Sequence, residues 1–141
     1  AESYLPVNDE LIPAGEAASV AGTGFDFRTP APVAQAAPLF DHNFCLSRQR
    51  GLLRTVARLN SPASGVSLEL RSTEPGLQVY DGAKLDIQVP GLGGHRMYPY
   101  AGIALEPQVW PDAPHNPDFP QAVLRPGETY RQHSQFKISK D

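Results

Sequence analysis

Turn-forming residues interrupt this chain at short, nearly regular intervals, and that punctuation limits its possible folds more than any other feature. Fifteen prolines and twelve glycines are spread along 141 residues rather than gathered in one tract. Asn60 to Gly65 (NSPASG), Pro75-Gly76, Pro90 to Gly94 (PGLGG) and Arg125 to Glu128 (RPGE) are each turn signals. What lies between them has the length of strands, with little room for a helix of several turns.

The intervening segments carry the matching pattern. Val66 to Arg71 alternates Val66, Leu68 and Leu70 with Ser67, Glu69 and Arg71, the period of a half-buried strand. Leu39 to Ser47 puts Phe40, His42 and Phe44 on one face and Asp41, Asn43 and Cys45 on the other. Leu52 to Leu59 fits both helical and strand periods, although two adjacent antiparallel strands would explain it together with Val66 to Arg71. Leu77, Val79 and Leu85 resume an apolar pattern, and Ala101 to Leu105 is an apolar strand running into Glu106. Gln121 to Ile138 divides at Arg125 to Glu128 into two expected strands. Upstream, Tyr4 to Glu16 reads as extended with a turn near Asn8 and Asp9, and Thr29 to Pro38 as a Pro- and Ala-rich connector. Six or more strands and no clear helix predict an all-β chain of antiparallel sheets packed face to face.

Composition excludes several classes of function. Twelve Lys and Arg against fifteen Asp and Glu give a net charge of −3 and a pI near 5.8, so there is no basic surface to neutralise nucleic-acid phosphates. No run approaches the roughly 18 apolar residues of a spanning helix, so no membrane partner is expected. A hydrophobic content of 40% suffices for a core. The single cysteine, Cys45, rules out an internal disulfide and points weakly to a reducing, cytoplasmic setting.

Few residues are placed to do chemistry. Glu106 ends an apolar strand and precedes a loop holding Trp110, Asp112, His115, Asn116 and Phe119. Partial burial at such a place would suit a proton acceptor and donor near neutral pH, whereas the plainer alternative is a paired surface acid. Asp41 stands in a polar cluster with His42 and Asn43, and Gln78 among Leu77, Val79 and Tyr80 could bind a hydroxyl-rich ligand or satisfy backbone groups. Trp110 could stack on a sugar ring or pack in the core. His42, His95, His115 and His133 show no metal-ligand spacing, so no metal is expected. No nucleophile elbow is present, and PGLGGHR lacks the pattern of a phosphate loop.

Five ordered blocks resemble the aldose 1-epimerases, or galactose mutarotases, and specifically their C-terminal part. They are YLPVNDELIPAGE from Tyr4, VAGTGFDFR from Val20, FDHNFCL from Phe40, STEPGLQVYDG from Ser72, and GIALEPQVWPDAPHNPDFPQAVLRPGETY from Gly102. The resemblance implies a β-sandwich of the galactose mutarotase type, with residues 1–141 as the C-terminal portion of one such domain, and makes Leu52 to Leu59 a strand. It also implies interconversion of the α and β anomers of a free aldose of galactose or glucose type, with no cofactor. Glu106 matches the general base, and Asp41 and Gln78 match residues that bind the sugar. Pro107 and Gly24 depart from residues common in the family. The family's catalytic His, a second active-site His and an Arg lie N-terminal to the matched blocks, and none of the four histidines here occupies a matching motif. The expectation is therefore a companion chain or N-terminal segment that supplies them. The alternative is a noncatalytic carbohydrate-binding or assembly module. For the enzyme, Asp41, Gln78 and Glu106 are expected to converge on one face.

Overall fold

The computed structural model describes residues 1–33 and 39–140, so the second half of the expected Thr29 to Pro38 connector lies outside the described residues. Among the described residues eight strands form: β1 (Ser3–Tyr4), β2 (Ala18–Ser19), β3 (Asp41–Cys45), β4 (Arg54–Ser61), β5 (Val66–Ser72), β6 (Gly76–Tyr80), β7 (Ala104–Gln108) and β8 (Ser134–Lys140). The helical content among the described residues is two three-residue 3-10 turns, Leu92–Gly94 and Ala113–His115. The all-β expectation therefore holds, and the ambiguous Leu52 to Leu59 segment is a strand from Arg54 on. The chain divides into two compact units, Ala1–Cys45 with Gln78–Glu106, and Leu46–Leu77 with Pro107–Asp141.

The first unit is organised on a sheet of order β2-β1-β3-β6-β7, whose last two strands run on across the division of the chain. β1 pairs antiparallel with both β2 and β3. Alternation along β3 does what the sequence predicts. Phe44 joins Val20, Phe25 and Phe40 in a buried cluster, with Tyr4 and Val79 packed against it. Phe25 lies edge-on to Phe40 at 5.4 Å between ring centres, and each such ring is worth about 1.5–3 kcal/mol when fully buried. A local device delivers Phe25 there: Thr23 Oγ1 donates to Val20 O at 2.7 Å and accepts from Phe25 N. Beyond it, Arg28 and Asp26 pair through two hydrogen bonds, which hold the Asp26 carboxyl down at about 2.

Between β6 and β7, residues 82–102 leave the sheet and return through a narrow neck. Buried Asp81 accepts from Phe40 N and Ala83 N, and Gly82 O accepts from both Leu85 N and Tyr100 N. Gly82 has φ of +76°, and a Cβ on it would lie 2.7 Å from Gly102 O. Only glycine fits this close approach without strain.

In the second unit β4, β5 and β8 form an antiparallel sheet of that order. A bulge at Val56 shifts the register between Thr55 and Ala57. Trp110 is 2% exposed. Its Nε1 donates to Pro75 O at 3.0 Å, its ring meets Phe119 edge-on at 5.1 Å, and Arg48 lies over it at 5.2 Å. Pro75 O also accepts from Leu46 N and Ser47 N, so this segment is tied down rather than turned out to solvent. Next to it Glu74, with no exposed surface, accepts from Arg50 Nε at 2.7 Å, and Arg50 stacks on Tyr130 at 4.5 Å.

The turn expected at Pro75-Gly76 forms as a bend that passes the chain from one sheet to the other, with Gly76 already in β6. Two expectations are corrected. Of the two strands expected in Gln121 to Ile138, only the second forms, as β8. Residues 121–133 are exposed and make no ladder, their polar groups using bonds such as Gln132 Nε2 to Pro107 O and Arg125 N to Glu128 Oε2. The strand expected at Ala101 to Leu105 begins later, at Ala104, and runs through Glu106 to Gln108.

Candidate functional site

The predicted site residues fall on three consecutive strands of the first unit: Asp41 on β3, Gln78 on β6 and Glu106 on β7. Their placement follows from the core. Phe44 and Val79 point into the aromatic cluster, so the odd positions of β3 and the even positions of β6 face the other way. On that face Asp41 and Gln78 meet, with Gln78 Nε2 donating to Asp41 Oδ1 at 2.8 Å. Both side chains are half-buried, which strengthens such a bond while leaving one side of the pair open to a ligand.

Glu106 is not drawn into that bond. It lies on the strand next to β6, exposed, with no hydrogen bond to Asp41 or Gln78 among the described residues. The partial burial expected at a strand end is absent, because β7 runs on beyond Glu106 and carries its side chain outward. Two strand spacings separate β3 from β7, about 10 Å.

Two neighbours carry no distinct signal in the sequence. Asn43, next on the same face of β3, is 1% exposed; its Nδ2 reaches Cys45 Sγ at 3.9 Å, and its Oδ1 has no partner among the described residues. The FDHNF block points to this residue only as a companion of Asp41. Asp81 closes the neck that leads from β6 towards β7, and its place just after the Gln78 strand is the available signal.

His42 occupies the opposite face of β3. Its ring packs against Phe25 at 4.7 Å and edge-on to Tyr4 at 5.7 Å. Asp41 N donates to Nδ1 at 3.3 Å, which leaves the ring proton on Nε2. Burial lowers its proton affinity below the usual histidine range, partly opposed by the Asp41 charge, so it is neutral at pH 7. In the second unit His115 is paired with Asp112, which raises its proton affinity through their hydrogen bond and charge. Trp110 is a packing residue, its ring covered and its N–H used. Among the described residues no group of three or more His, Cys, Asp or Glu could hold a metal ion, and no helix is long and apolar enough to cross a membrane.

Residues 1–137 match the family model described as aldose 1-epimerase. The chain is 44% identical over 145 residues to a human galactose mutarotase and 42% identical over 144 residues to that of the rat, in each case covering 99% of this chain and 42% of the relative. An Escherichia coli aldose 1-epimerase is 33% identical over 149 residues, covering 98% and 43%. A solved GalM/aldose epimerase homologue from C. elegans superposes with a TM-score of 0.87 at 29% identity, covering 99% of this chain and 44% of that one. The chain thus spans less than half the length of the relatives it matches.

Proposed function

From the premise that this chain belongs to the aldose 1-epimerase family, we propose that it forms the C-terminal portion of an epimerase domain that interconverts the α and β anomers of a free hexose. The observation that carries this reading is the Gln78 to Asp41 hydrogen bond on adjacent strands, with the strand of Glu106 next in order. An amide and a carboxylate held together in this way present donors and acceptors to neighbouring sugar hydroxyls. Glu106 is exposed on β7.

In the proposed reaction the Glu106 carboxylate takes the proton of the anomeric hydroxyl while an acid protonates the ring oxygen. The bond between C1 and the ring oxygen breaks to give the open-chain aldehyde. Rotation about C1–C2 and the reverse proton transfers close the ring as the other anomer. Every proton returns and no electron is gained or lost, so the step calls for no cofactor. The resemblance to the family assigns the acid to a histidine on epimerase polypeptide outside this chain; within it, His42 is packed against Phe25 and His115 is paired with Asp112. A cytoplasmic location belongs to the same proposal, supported by the single buried cysteine.

The test is polarimetry on fresh α-galactose with the rest of the epimerase polypeptide present. Glu106→Gln should slow catalysed mutarotation by about 10²- to 10⁴-fold while sugar binding persists. An undiminished rate would remove Glu106 from the mechanism.

A further inference from the structure

The polar face that carries Asp41 and Gln78 holds a third residue, Asn43, that the proposed reaction does not use. Its place is fixed by the strand register. Asp81 N donates to Phe40 O at 3.0 Å and Leu46 N to Pro75 O at 2.8 Å, and these bonds bracket an antiparallel contact of β3 with β6. Between them Asn43 falls directly opposite Gln78, and Asp41 opposite Tyr80. Both are non-hydrogen-bonded pairs, the positions at which facing side chains come closest, with Cβ atoms about 4.5–5.5 Å apart. The bond from Gln78 to Asp41 is thus a diagonal reach, while the residue straight across from Gln78 is Asn43.

Asn43 is costly where it stands. It is 1% exposed, its Nδ2 reaches only Cys45 Sγ at 3.9 Å, and its Oδ1 has no partner among the described residues. A buried amide oxygen without a bond destabilises a fold, and a leucine of similar size would not. The backbone cannot carry the side chain away, because Asn43 O accepts from Leu5 N at 2.9 Å on the side of β1. Gln78 has the matching surplus. Its amide carries two N–H groups; one goes to Asp41 Oδ1, and the other has no acceptor among the described residues.

We infer that Asn43 is a positioning residue of the sugar site: its Oδ1 takes the second Gln78 N–H when a sugar is bound, and so fixes which end of the Gln78 amide meets the ligand. This rests on the reading of that face as the sugar site of an epimerase domain. With both amide protons used, on Asp41 and on Asn43, the pair meets the ligand through Gln78 Oε1 and Asp41 Oδ2, which only accept. It therefore selects a polyol that brings two neighbouring hydroxyl protons to this face. The unsatisfied Asn43 oxygen of the free protein is relieved on binding.

The test uses this chain with the rest of the epimerase polypeptide present. Asn43→Leu should unfold at the wild-type temperature or above it, while KM for galactose rises about 3- to 10-fold, the worth of one hydrogen bond, and kcat stays unchanged. Gln78→Met removes the amide itself, so adding Asn43→Leu to it should raise KM no further. For the wild type, a crystal structure of the assembly with galactose should show Asn43 Oδ1 about 2.7–3.2 Å from Gln78 Nε2. The inference is overturned if Asn43→Leu lowers the unfolding temperature, leaves KM unmoved or adds to the effect of Gln78→Met. A galactose complex in which the two side chains stay apart overturns it as well. The reading of the activity fails separately. A wild-type assembly that binds galactose without mutarotation removes the reaction, and galactose affinity by calorimetry then takes the place of KM; an assembly that binds no galactose removes both.

Discussion

Replacing Gly82 by alanine should be among the most damaging single-methyl changes in the first unit, and its cost can be worked from the backbone. With φ at +76°, an alanine sits in the left-handed region at about 1–2 kcal/mol. Its Cβ would also meet Gly102 O at 2.7 Å and Leu85 Cδ1 at 3.1 Å, and relieving an overpacked contact costs typically about 1–3 kcal/mol. Stiffening the unfolded chain returns about 0.4–1 kcal/mol, leaving a net loss of about 1–5 kcal/mol. Two other glycines in the same unit separate the terms. Gly15 has φ of +85° and nothing within 4 Å of the place a methyl would take, so Gly15→Ala carries the dihedral cost alone; Gly102 has neither a positive φ nor a close neighbour, so Gly102→Ala should be neutral or slightly stabilising. Urea unfolding of the three variants should rank them Gly82→Ala, Gly15→Ala, Gly102→Ala in order of loss. If Gly82→Ala costs no more than Gly15→Ala, the approach of Gly102 O is not what fixes this glycine.

His42 makes stability depend on pH in a defined direction. Its proton affinity is lowered in the fold by burial, against the Asp41 charge, so as pH falls below about 6.5 the unfolded chain binds the proton first and stability drops. Urea midpoints should therefore fall between pH 8 and pH 5 more steeply for the wild type than for His42→Phe; equal slopes would refute the assignment. Arg50→Met should cost about 3–5 kcal/mol because it leaves the fully buried Glu74 carboxylate without its cation. Glu74→Gln should cost less, since Arg50 is part-exposed and keeps its place on Tyr130. Thermal unfolding that found Glu74→Gln the worse of the two would overturn that ranking.

Strand alternation was legible where one face of a sheet is buried. Val66 to Arg71 behaves as its pattern requires, the alternation of Phe40 to Cys45 sends Phe40 and Phe44 into the aromatic cluster although Asn43 and Cys45 opposite are buried too, and the Leu52 to Leu59 segment, ambiguous by period, is settled from Arg54 on by its pairing with β5. That Asp41 and Gln78 share a face was expected from the resemblance, but their direct bond was not legible, because the residues stand 37 positions apart and meet only through the order of β3 and β6. Turn composition located the bend at Pro75-Gly76 but not its burial, which comes from Trp110, Leu46 and Ser47 bonding to Pro75 O and drawing the segment inward. The first half of Gln121 to Ile138 looked like a strand for want of turn residues, yet no described neighbour offers it a ladder.

The pairing of β5 with β8 bears on the order in which the second unit assembles. Ser72 and Ser134, joined through their hydroxyls at 3.0 Å, are 62 positions apart, whereas β4 and β5 are linked by a short turn. The β4–β5 hairpin can close as soon as Val66 to Ser72 has been made, and β8 can add only after the C-terminal strand has been synthesised. Distant pairings of this kind slow folding, and during synthesis the outer edge of β5 waits unpaired with Leu68 and Leu70 beside it. The nascent chain therefore passes through an interval in which Leu70, fully buried in the finished sheet, lacks its neighbour Phe136.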